Sequence, residues 1–487
     1  MIKRASIACG ASILAIAFAA HAATPVKAKI DSGVIAGSSD AGVNVFKGVP
    51  FAKPPIGELR WAPPQTPAKW NGEYDATQFK LPCPQTTNPD GKTPNGGGVA
   101  GPTQEDCLYL NVWAPANAKN APVMLWLYGG AGTLGAGHLG SYQGASFAQQ
   151  GVIIVTINYR LGNLGNFAHP ALTKARKAGE PMSNYALMDA IAGLQWVQRN
   201  IGAFGGDKNN VTLFGQSAGG AMVSSLLSSP AAKGLYHKAI VHSGASITAG
   251  TPLAVAEKSG VETAAKMGLG SDATLAQLRA LPVDVLVKNN ANGMRSVLDG
   301  NIKTVTTKDA YASGQAIKVP IIVGSNSGEP GVDGASALVN MATAAGVPAY
   351  QYYFTYVPAW RTAEQPNGAP HSAEIPYAFA ALNTSTTGGG ARVTDHDREV
   401  SKRMNSCWVA FAKAPVTARE LKCAEGFTWQ ARTPQNDAVA VFGERPTLAQ
   451  VTPIIKEAAA RLPARPATAT AAAAPPAAAP TPASTPR

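Results

Sequence analysis

The chain has 487 residues, of which 45% are hydrophobic and 14% are charged. A chain of this length and composition can bury a large core, which excludes a disordered or fibrous protein. The formal net charge is +12, but the basic residues are scattered and form no nucleic-acid-binding module, so we expect no nucleic-acid partner. The charge instead predicts a surface that attracts anions weakly.

The first 23 residues have the organisation of a secretory signal peptide. Lys3 and Arg4 precede an apolar run at residues 13–18, and the small residues Ala20 and Ala22 provide a cleavage site. The run is too short to span a bilayer, and no later segment is long and apolar enough to do so. The sequence therefore predicts an exported bacterial protein, periplasmic or extracellular, with a signal peptide at 1–23 and no integral membrane segment.

Four cysteines remain once Cys9 leaves with the signal peptide. An even number of cysteines in an exported chain favours disulfides. The short separations along the chain favour the pairs Cys83–Cys107 and Cys407–Cys423. None of the four has the spacing of a metal site, so we expect no bound metal.

The rest of the chain alternates between predicted strands and helices. Buried strands are predicted at 123–128, 152–158, 211–214, 237–242, 319–324, 350–356 and 438–442. Helices are predicted at 184–201 and 397–413, and weaker helical patterns at about 252–290 indicate a cap over the site. This alternation predicts an α/β fold with a mostly parallel, doubly wound central sheet and helical cap insertions.

The folded domain is expected to span residues 24–462. Residues 463–487 consist of Ala, Pro, Thr and Ser with two arginines. Because such a segment has too little apolar surface to bury, we expect it to be a disordered tail.

A Gly-x-Ser-x-Gly motif, Gly215 to Gly219, stands between a predicted strand and a segment of small residues that can form a helix. A serine on such a turn is held in strained backbone geometry with its hydroxyl exposed above the sheet. The two glycines leave room for the sharp turn. The amide of Ala218 opens the helix and points to the place where an oxyanion would form. The motif therefore predicts Ser217 as a nucleophile for acyl transfer.

A serine nucleophile needs a histidine base and a carboxylate that orients the histidine. In folds where the serine stands on such a strand-to-helix turn, the chain order is serine, acid, histidine. His371 comes after the aromatic strand through a loop, and we favour it over His396, which lies in a charged helix start typical of solvated surface. Glu329 comes directly after a buried strand, and we favour it over Asp333 as the acid.

The second source of oxyanion donors is predicted in the glycine-rich loop 129–132, which follows the strand at 123–128. Small residues let a backbone approach a substrate closely, so the amides of Gly130 and Ala131 are the candidates. An ordinary tight turn is the alternative interpretation of the same loop.

These motifs together resemble the type-B carboxylesterase (cholinesterase-like) family of α/β-hydrolases over nearly the whole mature chain, up to about residue 445. The matching segments are 51–57, 105–112, 158–162, 204–207, 215–219, 299–300, 371–377 and 408–413. The resemblance implies a hydrolase of small-molecule esters that needs no cofactor. It implies a catalytic triad of Ser217, Glu329 and His371, with oxyanion donors at Gly130, Ala131 and Ala218.

The resemblance also implies that Cys83–Cys107 is the loop disulfide of the family and that Ser243 lies beside the acid. Family members usually carry Glu before the nucleophile, whereas this chain has Gln216. The missing negative charge suits an anionic substrate, which makes Gln216 a candidate residue of the substrate pocket.

Three further departures from the family bear on the substrate. Ala131 replaces the usual third glycine of the oxyanion loop and is slightly bulkier. Residues 84–104 contain no aromatic side chain, so the cation–π platform of cholinesterases is missing and choline esters are poor candidates. The helical insertion before the aromatic strand is trimmed to about 330–349, which predicts a wider entrance.

Three functions therefore stand as hypotheses. The default is a secreted serine carboxylesterase of broad specificity that works through an acyl-enzyme. The first alternative is a fumonisin-esterase-like hydrolase of polycarboxylate (tricarballylate) esters. The second is a non-catalytic cholinesterase-like binding protein, which the intact set of triad residue types disfavours.

Overall fold

The computed structural model of the chain describes residues 24–94, 97–290, 293, 295–385 and 389–461. The predicted signal peptide at 1–23 and the predicted tail at 463–487 lie outside the described residues. None of the helices within the described ranges combines the length and the apolar character that a membrane span requires.

The strands are numbered in chain order. They are β1 Thr24–Ile30, β2 Gly33–Asp40, β3 Val43–Pro50, β4 Glu73–Asp75, β5 Tyr109–Pro115, β6 Ala121–Leu127, β7 Ile153–Ile157, β8 Gly206–Gln216, β9 Lys238–His242, β10 Thr251–Pro252, β11 Val297–Leu298, β12 Ile321–Asn326, β13 Ala349–Phe354, β14 Glu420–Lys422, β15 Thr428–Gln430, β16 Ala438–Phe442 and β17 Pro446–Gln450.

The α-helices are numbered in the same way. They are α1 Ala145–Gln149, α2 Gly162–Gly165, α3 Pro170–Ala175, α4 Tyr185–Asn200, α5 Ala218–Leu226, α6 Leu253–Lys266, α7 Leu275–Arg279, α8 Val283–Lys288, α9 Thr307–Ala312, α10 Val332–Ala344, α11 Ile375–Ala378, α12 Asp395–Lys413 and α13 Val451–Arg461.

One large sheet organises the molecule, with the strand order β1-β2-β3-β5-β7-β6-β8-β9-β12-β13-β16-β17 and with β4 paired to β2. The strands from β7 to β16 in that order are parallel to their neighbours, whereas β1, β2, β3, β5 and β17 join antiparallel. Helices pack against the sheet, among them α5 on β8 and α10 on β12. The predicted mostly parallel α/β architecture is confirmed.

The central strands are apolar along their whole length because both faces of the sheet are covered. In β6 the five residues from Val123 to Leu127 are completely buried, and every residue of β7 is buried. The predicted strands at 123–128 and 152–158 are confirmed as β6 and β7, and the predicted helices at 184–201 and 397–413 as α4 and α12.

Several elements were not predicted from the sequence, among them β5 and α13. Strand β5 carries a buried Asn111 whose side chain accepts from the Gly48 amide (2.9 Å) and donates to Thr156 Oγ1 (3.0 Å). This polar residue interrupts the apolar pattern by which the other buried strands are recognised. Helix α13 buries only Val451, Ile454 and Ala458, so few apolar residues mark it as a helix in the sequence.

The cap predicted at about 252–290 consists of the short helices α6, α7 and α8, with the parallel pair β10–β11 at its base. The chain just after the cap reaches the loop that follows β6, since a Cβ atom on Gly293 would stand 2.7 Å from the carbonyl oxygen of Ala131. The parallel strands β8, β12 and β13 all end at one edge of the sheet, and the loops that follow them meet there.

Candidate active site

Ser217 stands on a sharp turn between β8 and α5. Its backbone has φ +55° and ψ −120°, a conformation that is strained for any residue with a side chain. The turn is possible because of Gly215 and Gly219: a Cβ on Gly215 would lie 2.6 Å from the carbonyl of Gly219, and one on Gly219 would lie 2.0 Å from Leu127 O. Among the described residues, the half-buried Ser217 hydroxyl has no hydrogen-bond partner.

His371 and Glu329 come together at the same edge of the sheet. Nδ1 of His371 is hydrogen-bonded to Oε2 of Glu329, 42 residues away in sequence. The Glu329 side chain is almost buried, whereas the His371 side chain is 47% exposed and therefore open to a substrate. This is the arrangement by which a carboxylate orients a catalytic imidazole.

Backbone contacts hold the two loops in this register. The amide of Gly328 donates to the carbonyl of Ala369 (2.8 Å), and the amide of Ala369 donates to Ser327 Oγ (2.9 Å). Gly368 has φ +103°, and a Cβ there would lie 2.4 Å from Ser327 Oγ. The acid loop and the base loop are thus fastened one residue or two before the side chains that they present.

Two further groups fix Glu329. Its Oε1 accepts from the Ser243 hydroxyl (2.5 Å) and from the backbone amide of Asn326 (2.8 Å). With Oε2 on His371, both carboxylate oxygens are occupied, so the carboxylate has little freedom to rotate. The resemblance implied Ser243 beside the acid, and the structure brings the two into contact.

The charge of Glu329 acts on the imidazole. The hydrogen bond that His371 donates to Glu329 raises the pKa of His371 above its usual 6.5, against the opposing effect of burial. The negative charge of a second carboxylate, Glu374, also raises the pKa of His371. Since the base must be unprotonated to accept a proton, activity that depends on His371 should be gained as the pH rises through this raised pKa.

A buried polar network behind this pair was missed by the sequence analysis. Glu374 is completely buried and accepts from the Asn326 side chain (2.5 Å), which also donates to the carbonyl of Pro370 (2.8 Å). Its other oxygen lies 3.4 Å from Nδ1 of His242. The signal available was only the position of Glu374 three residues after His371.

His242 lies in β9 and is completely buried, so its ring is closed to a substrate. Its Nε2 accepts from the indole N–H of Trp408 (3.0 Å), and its Nδ1 is 3.0 Å from the hydroxyl of Tyr352. An indole N–H can only donate, so the Nε2 lone pair of His242 is committed to it. His396 and Asp333 are both exposed, on α12 and α10 respectively.

The loop after β6, residues 129–137, is here called the oxyanion loop. A Cβ on Gly129 would lie 3.0 Å from Cβ of Ser217, so the loop passes directly beside the candidate nucleophile. Gly130 has φ +106° and Ala131 has φ +57°, a left-handed conformation that an alanine rarely adopts. Ala218, the third candidate donor, is the first residue of α5.

A sequence profile described as the carboxylesterase family matches residues 24–338 and 331–460. The chain belongs to this family. It is 32% identical to the fumonisin B1 esterase of Sphingopyxis macrogoltabida over 84% of this chain and 88% of that protein. It is 33% identical to the para-nitrobenzyl esterase of Bacillus subtilis over 78% of this chain and 88% of that protein.

Solved structures agree with this membership. A PNB esterase matches with a TM-score of 0.76 and 28% identity, over 90% of this chain and 99% of that one. A carboxylesterase of Geobacillus stearothermophilus at pH 6.2 matches with a TM-score of 0.73 and 27% identity, over 90% and 100%. The protein is therefore a carboxylic-ester hydrolase with an α/β-hydrolase fold.

Gln216 occupies the position where carboxylesterases usually carry Glu, and it touches two parts of the site. Its side-chain Nε2 is 3.1 Å from Nε2 of His371. Its Oε1 would lie only 2.4 Å from a Cβ on Gly129, so the amide is also packed against the oxyanion loop. Gln216 is 3% exposed. The free nitrogen of His371 therefore faces a neutral amide where a carboxylate would bring a negative charge.

A cavity of about 100 Å³ opens beside Gln216. Its described lining is uncharged and consists of Gly97, Gly98, Gly129, Gly130, Leu139, Ser141, Tyr142, Gln216, Ser372 and Ile375. It is bounded on one side by the oxyanion loop and on the other by the residue after His371. Its position makes it the candidate site for part of the ester.

The structure contains both predicted disulfides, Cys83–Cys107 and Cys407–Cys423. Within the described ranges, no group of three or more His, Cys, Asp or Glu side chains is arranged to hold a metal ion.

Proposed function

We propose that the protein hydrolyses carboxylic esters through a Ser217 acyl-enzyme, with His371 as general base and Glu329 as the carboxylate that orients it. The observation that carries the proposal is the hydrogen bond from His371 Nδ1 to Glu329, at the sheet edge where Ser217 stands on its strained turn. Nucleophile, base and orienting acid are the parts that acyl transfer needs.

In the proposed reaction, Nε2 of His371 exchanges the Gln216 amide for the Ser217 hydroxyl and removes its proton. The serine oxygen attacks the ester carbonyl, and the imidazolium then protonates the departing alcohol. Water, activated by the same nitrogen, attacks the acyl-enzyme and releases the acid. Because Glu329 keeps the Nδ1 proton in place, Nε2 is the nitrogen that carries out every proton transfer.

The tetrahedral oxyanion of each step is proposed to accept from the amides of Gly130, Ala131 and Ala218. Gly129 lies against the β-carbon of Ser217, which brings the following amides close to the attacked carbonyl. The amide of Ala218 adds the positive end of helix α5. Fixed donors at such a site are worth about 3–4 kcal/mol each when one is removed.

We also propose export, with residues 1–23 as a cleaved signal peptide. The two disulfides support it, since disulfides persist in oxidising compartments such as the periplasm.

Two substrate classes remain open, a broad range of neutral esters and esters of polycarboxylic acids. The polycarboxylate alternative is favoured by three observations: the similarity to a fumonisin B1 esterase, the neutral Gln216 beside the proposed base, and a cavity whose described lining holds no carboxylate. A carboxylate at position 216 would repel an anionic acyl group at a distance where the Coulomb energy is several kcal/mol. The net charge of +12 acts in the same direction over longer range.

The catalytic proposal is tested by Ser217→Ala. We expect p-nitrophenyl butyrate hydrolysis to fall by a factor of roughly 10⁴ or more, together with complete loss of labelling by a fluorophosphonate. Ser313→Ala, an exposed serine at the end of α9, is the control and should behave as wild type. Near-normal turnover in Ser217→Ala would refute the triad, and a folded wild type that is never labelled would favour a binding protein.

The substrate classes are separated by comparing kcat/KM for a neutral butyrate ester with that for a tricarballylate ester of the same alcohol. A preference for tricarballylate that disappears at high salt supports the polycarboxylate alternative. A preference for butyrate at all salt concentrations supports the broad carboxylesterase.

A further inference from the structure

The oxyanion loop doubles back on itself. The carbonyl of Gly130 accepts from the amides of Thr133 and Leu134, both at 3.0 Å. The returning chain then passes beneath the start of the loop, where a Cβ on Gly135 would lie 3.0 Å from the carbonyl oxygen of Gly129. The position of Gly135 therefore sets the position of the backbone that precedes the candidate oxyanion donors.

The side chain of Gln85 makes two hydrogen bonds to the backbone of Gly135. Its Oε1 accepts from the amide of Gly135 and its Nε2 donates to the carbonyl of the same residue, both at 2.8 Å. The same Nε2 also donates to the carbonyl of Cys83 (3.1 Å). Gln85 is 4% exposed, so water does not replace these partners easily. One carboxamide thus joins the oxyanion loop to the first half-cystine of Cys83–Cys107.

Asn158 makes the corresponding connection on the other side. Its Oδ1 accepts from the amide of Gly137 (2.9 Å), and its Nδ2 donates to the carbonyl of Cys107 (3.1 Å). It too is 4% exposed. The second carboxamide joins the end of the oxyanion loop to the second half-cystine.

We propose that Gln85 and Asn158 are positioning residues that fasten the oxyanion loop to the two halves of the Cys83–Cys107 disulfide. The disulfide then acts on catalysis as well as on stability, because it fixes the distance between the two carbonyls from which the loop is held. The proposal rests on the proposed function, since it takes Gly130 and Ala131 as oxyanion donors.

The energetic reason is the precision that the oxyanion demands. Donor amides are effective at 2.7–3.1 Å from the oxyanion, and a displacement of about 1 Å costs on the order of a hundredfold in rate. A loop held by Gln85 at one residue and by Asn158 at another has little room to shift. Without them, buried backbone groups of Gly135 and Gly137 lose their partners and the loop must rearrange to recover them.

The test is Gln85→Ala, with Gln104→Ala as the matched control. Gln104 lies in the same disulfide loop, but its side chain donates to Asp106 O and makes no hydrogen bond to the oxyanion loop within the described residues. We expect Gln85→Ala to lower kcat for p-nitrophenyl butyrate at least tenfold, with KM changed less than threefold. Inhibition by a trifluoromethyl ketone, whose adduct carries an oxyanion, should weaken in parallel. Gln104→Ala should match wild type in both measurements.

If Gln85→Ala does not fold, Gln85→Glu replaces it, since it keeps the acceptor for the Gly135 amide and loses the donor. A fall in kcat with weaker ketone binding supports the proposal in either variant. A folded variant with kcat within twofold of wild type overturns it. Failure of the proposed function is distinguishable, because Ser217→Ala would then retain activity whatever the outcome at Gln85.

Discussion

At the scale of single residues, the proposed base His371 lies between a neutral amide and a carboxylate. Nε2 of His371 faces the amide of Gln216 at 3.1 Å, and Glu329 faces Nδ1 on the other side of the ring. One carboxylate therefore acts directly on the imidazole, and its hydrogen bond raises the pKa of His371 above 6.5. A second carboxylate in direct contact would stabilise the imidazolium further and withdraw the base from neutral pH.

Gln216→Glu should make this visible in the pH dependence of kcat/KM. In wild type the activity should rise with pH through a midpoint above 6.5, because His371 must lose its proton. In Gln216→Glu the midpoint should move up by about one pH unit, since the new carboxylate favours the charged form. The profile is measured with a neutral p-nitrophenyl ester between pH 5 and 9, and an unshifted midpoint would contradict the contact.

Glu329 and Asp333, four residues apart, are the two candidates for the acid, and substituting each of them separately decides between them. Glu329→Gln should lower kcat about a thousandfold or more, because the Nδ1 proton of His371 loses its acceptor and the wrong tautomer becomes available. Asp333→Asn, on the exposed first turn of α10, should leave kcat within twofold of wild type. The reverse pattern of kcat values would transfer the role to Asp333.

At the scale of elements, the loops after β12 and β13 act as one unit. They are joined by hydrogen bonds between Gly328, Ala369 and Ser327, which lie beside the acid and before the base. The pair Glu329–His371 is thus positioned by main-chain contacts of its own loops, with Ser243 and Asn326 as supports. Disturbing the contacts between these two loops should affect kcat more than it affects the free energy of unfolding.

Gly368→Ala tests the contacts between these two loops. Its φ of +103° and the 2.4 Å approach of Ser327 Oγ both oppose a side chain, so the base loop should shift and kcat should fall at least tenfold. Gly346→Ala, after α10, is the control, because its φ is +83° but no atom lies within 4 Å of the added Cβ. It should cost about 1 kcal/mol in urea unfolding from backbone strain alone and leave kcat unchanged. Equal kcat values in the two variants would show that the contacts between the two loops do not position His371.

At the scale of the whole molecule, the two disulfides have different surroundings. Cys83–Cys107 is connected to the oxyanion loop through Gln85 and Asn158. Cys407–Cys423 joins the second half of α12 to the residue that follows β14, and both half-cystines come after the proposed catalytic residues in the chain. Both should stabilise the fold by limiting the unfolded chain, by about 3 kcal/mol each.

Removing each disulfide separately should therefore give different results. The double variant Cys407→Ser/Cys423→Ser should lose stability in urea unfolding and keep kcat at conditions where it is folded. The double variant Cys83→Ser/Cys107→Ser should lose a similar amount of stability and also lose kcat at least tenfold. If kcat per folded molecule is the same in both, the Cys83–Cys107 disulfide has no part in positioning the oxyanion loop.

The sequence by itself determined the fold class and the carboxylesterase family, because both are written in local patterns. Apolar runs predict β6 and β7, and the Gly-x-Ser-x-Gly motif places Ser217 between a strand and a helix whatever the rest of the chain does. The candidates Glu329 and His371 followed from chain order, and the cysteine pairs from short separations. Their roles in catalysis stay predictions.

Only the tertiary structure decided which side chains meet behind and beside these residues. Gln216 reaches His371 across 155 residues, Gln85 reaches Gly135 across 50, and Asn326 reaches Glu374 across 48. Each of these contacts depends on loop conformation and side-chain rotamers, which leave no periodic signal in the sequence. A buried carboxamide or carboxylate between loops looks like any polar loop residue until folding removes the water around it, and its protein partners then fix the site.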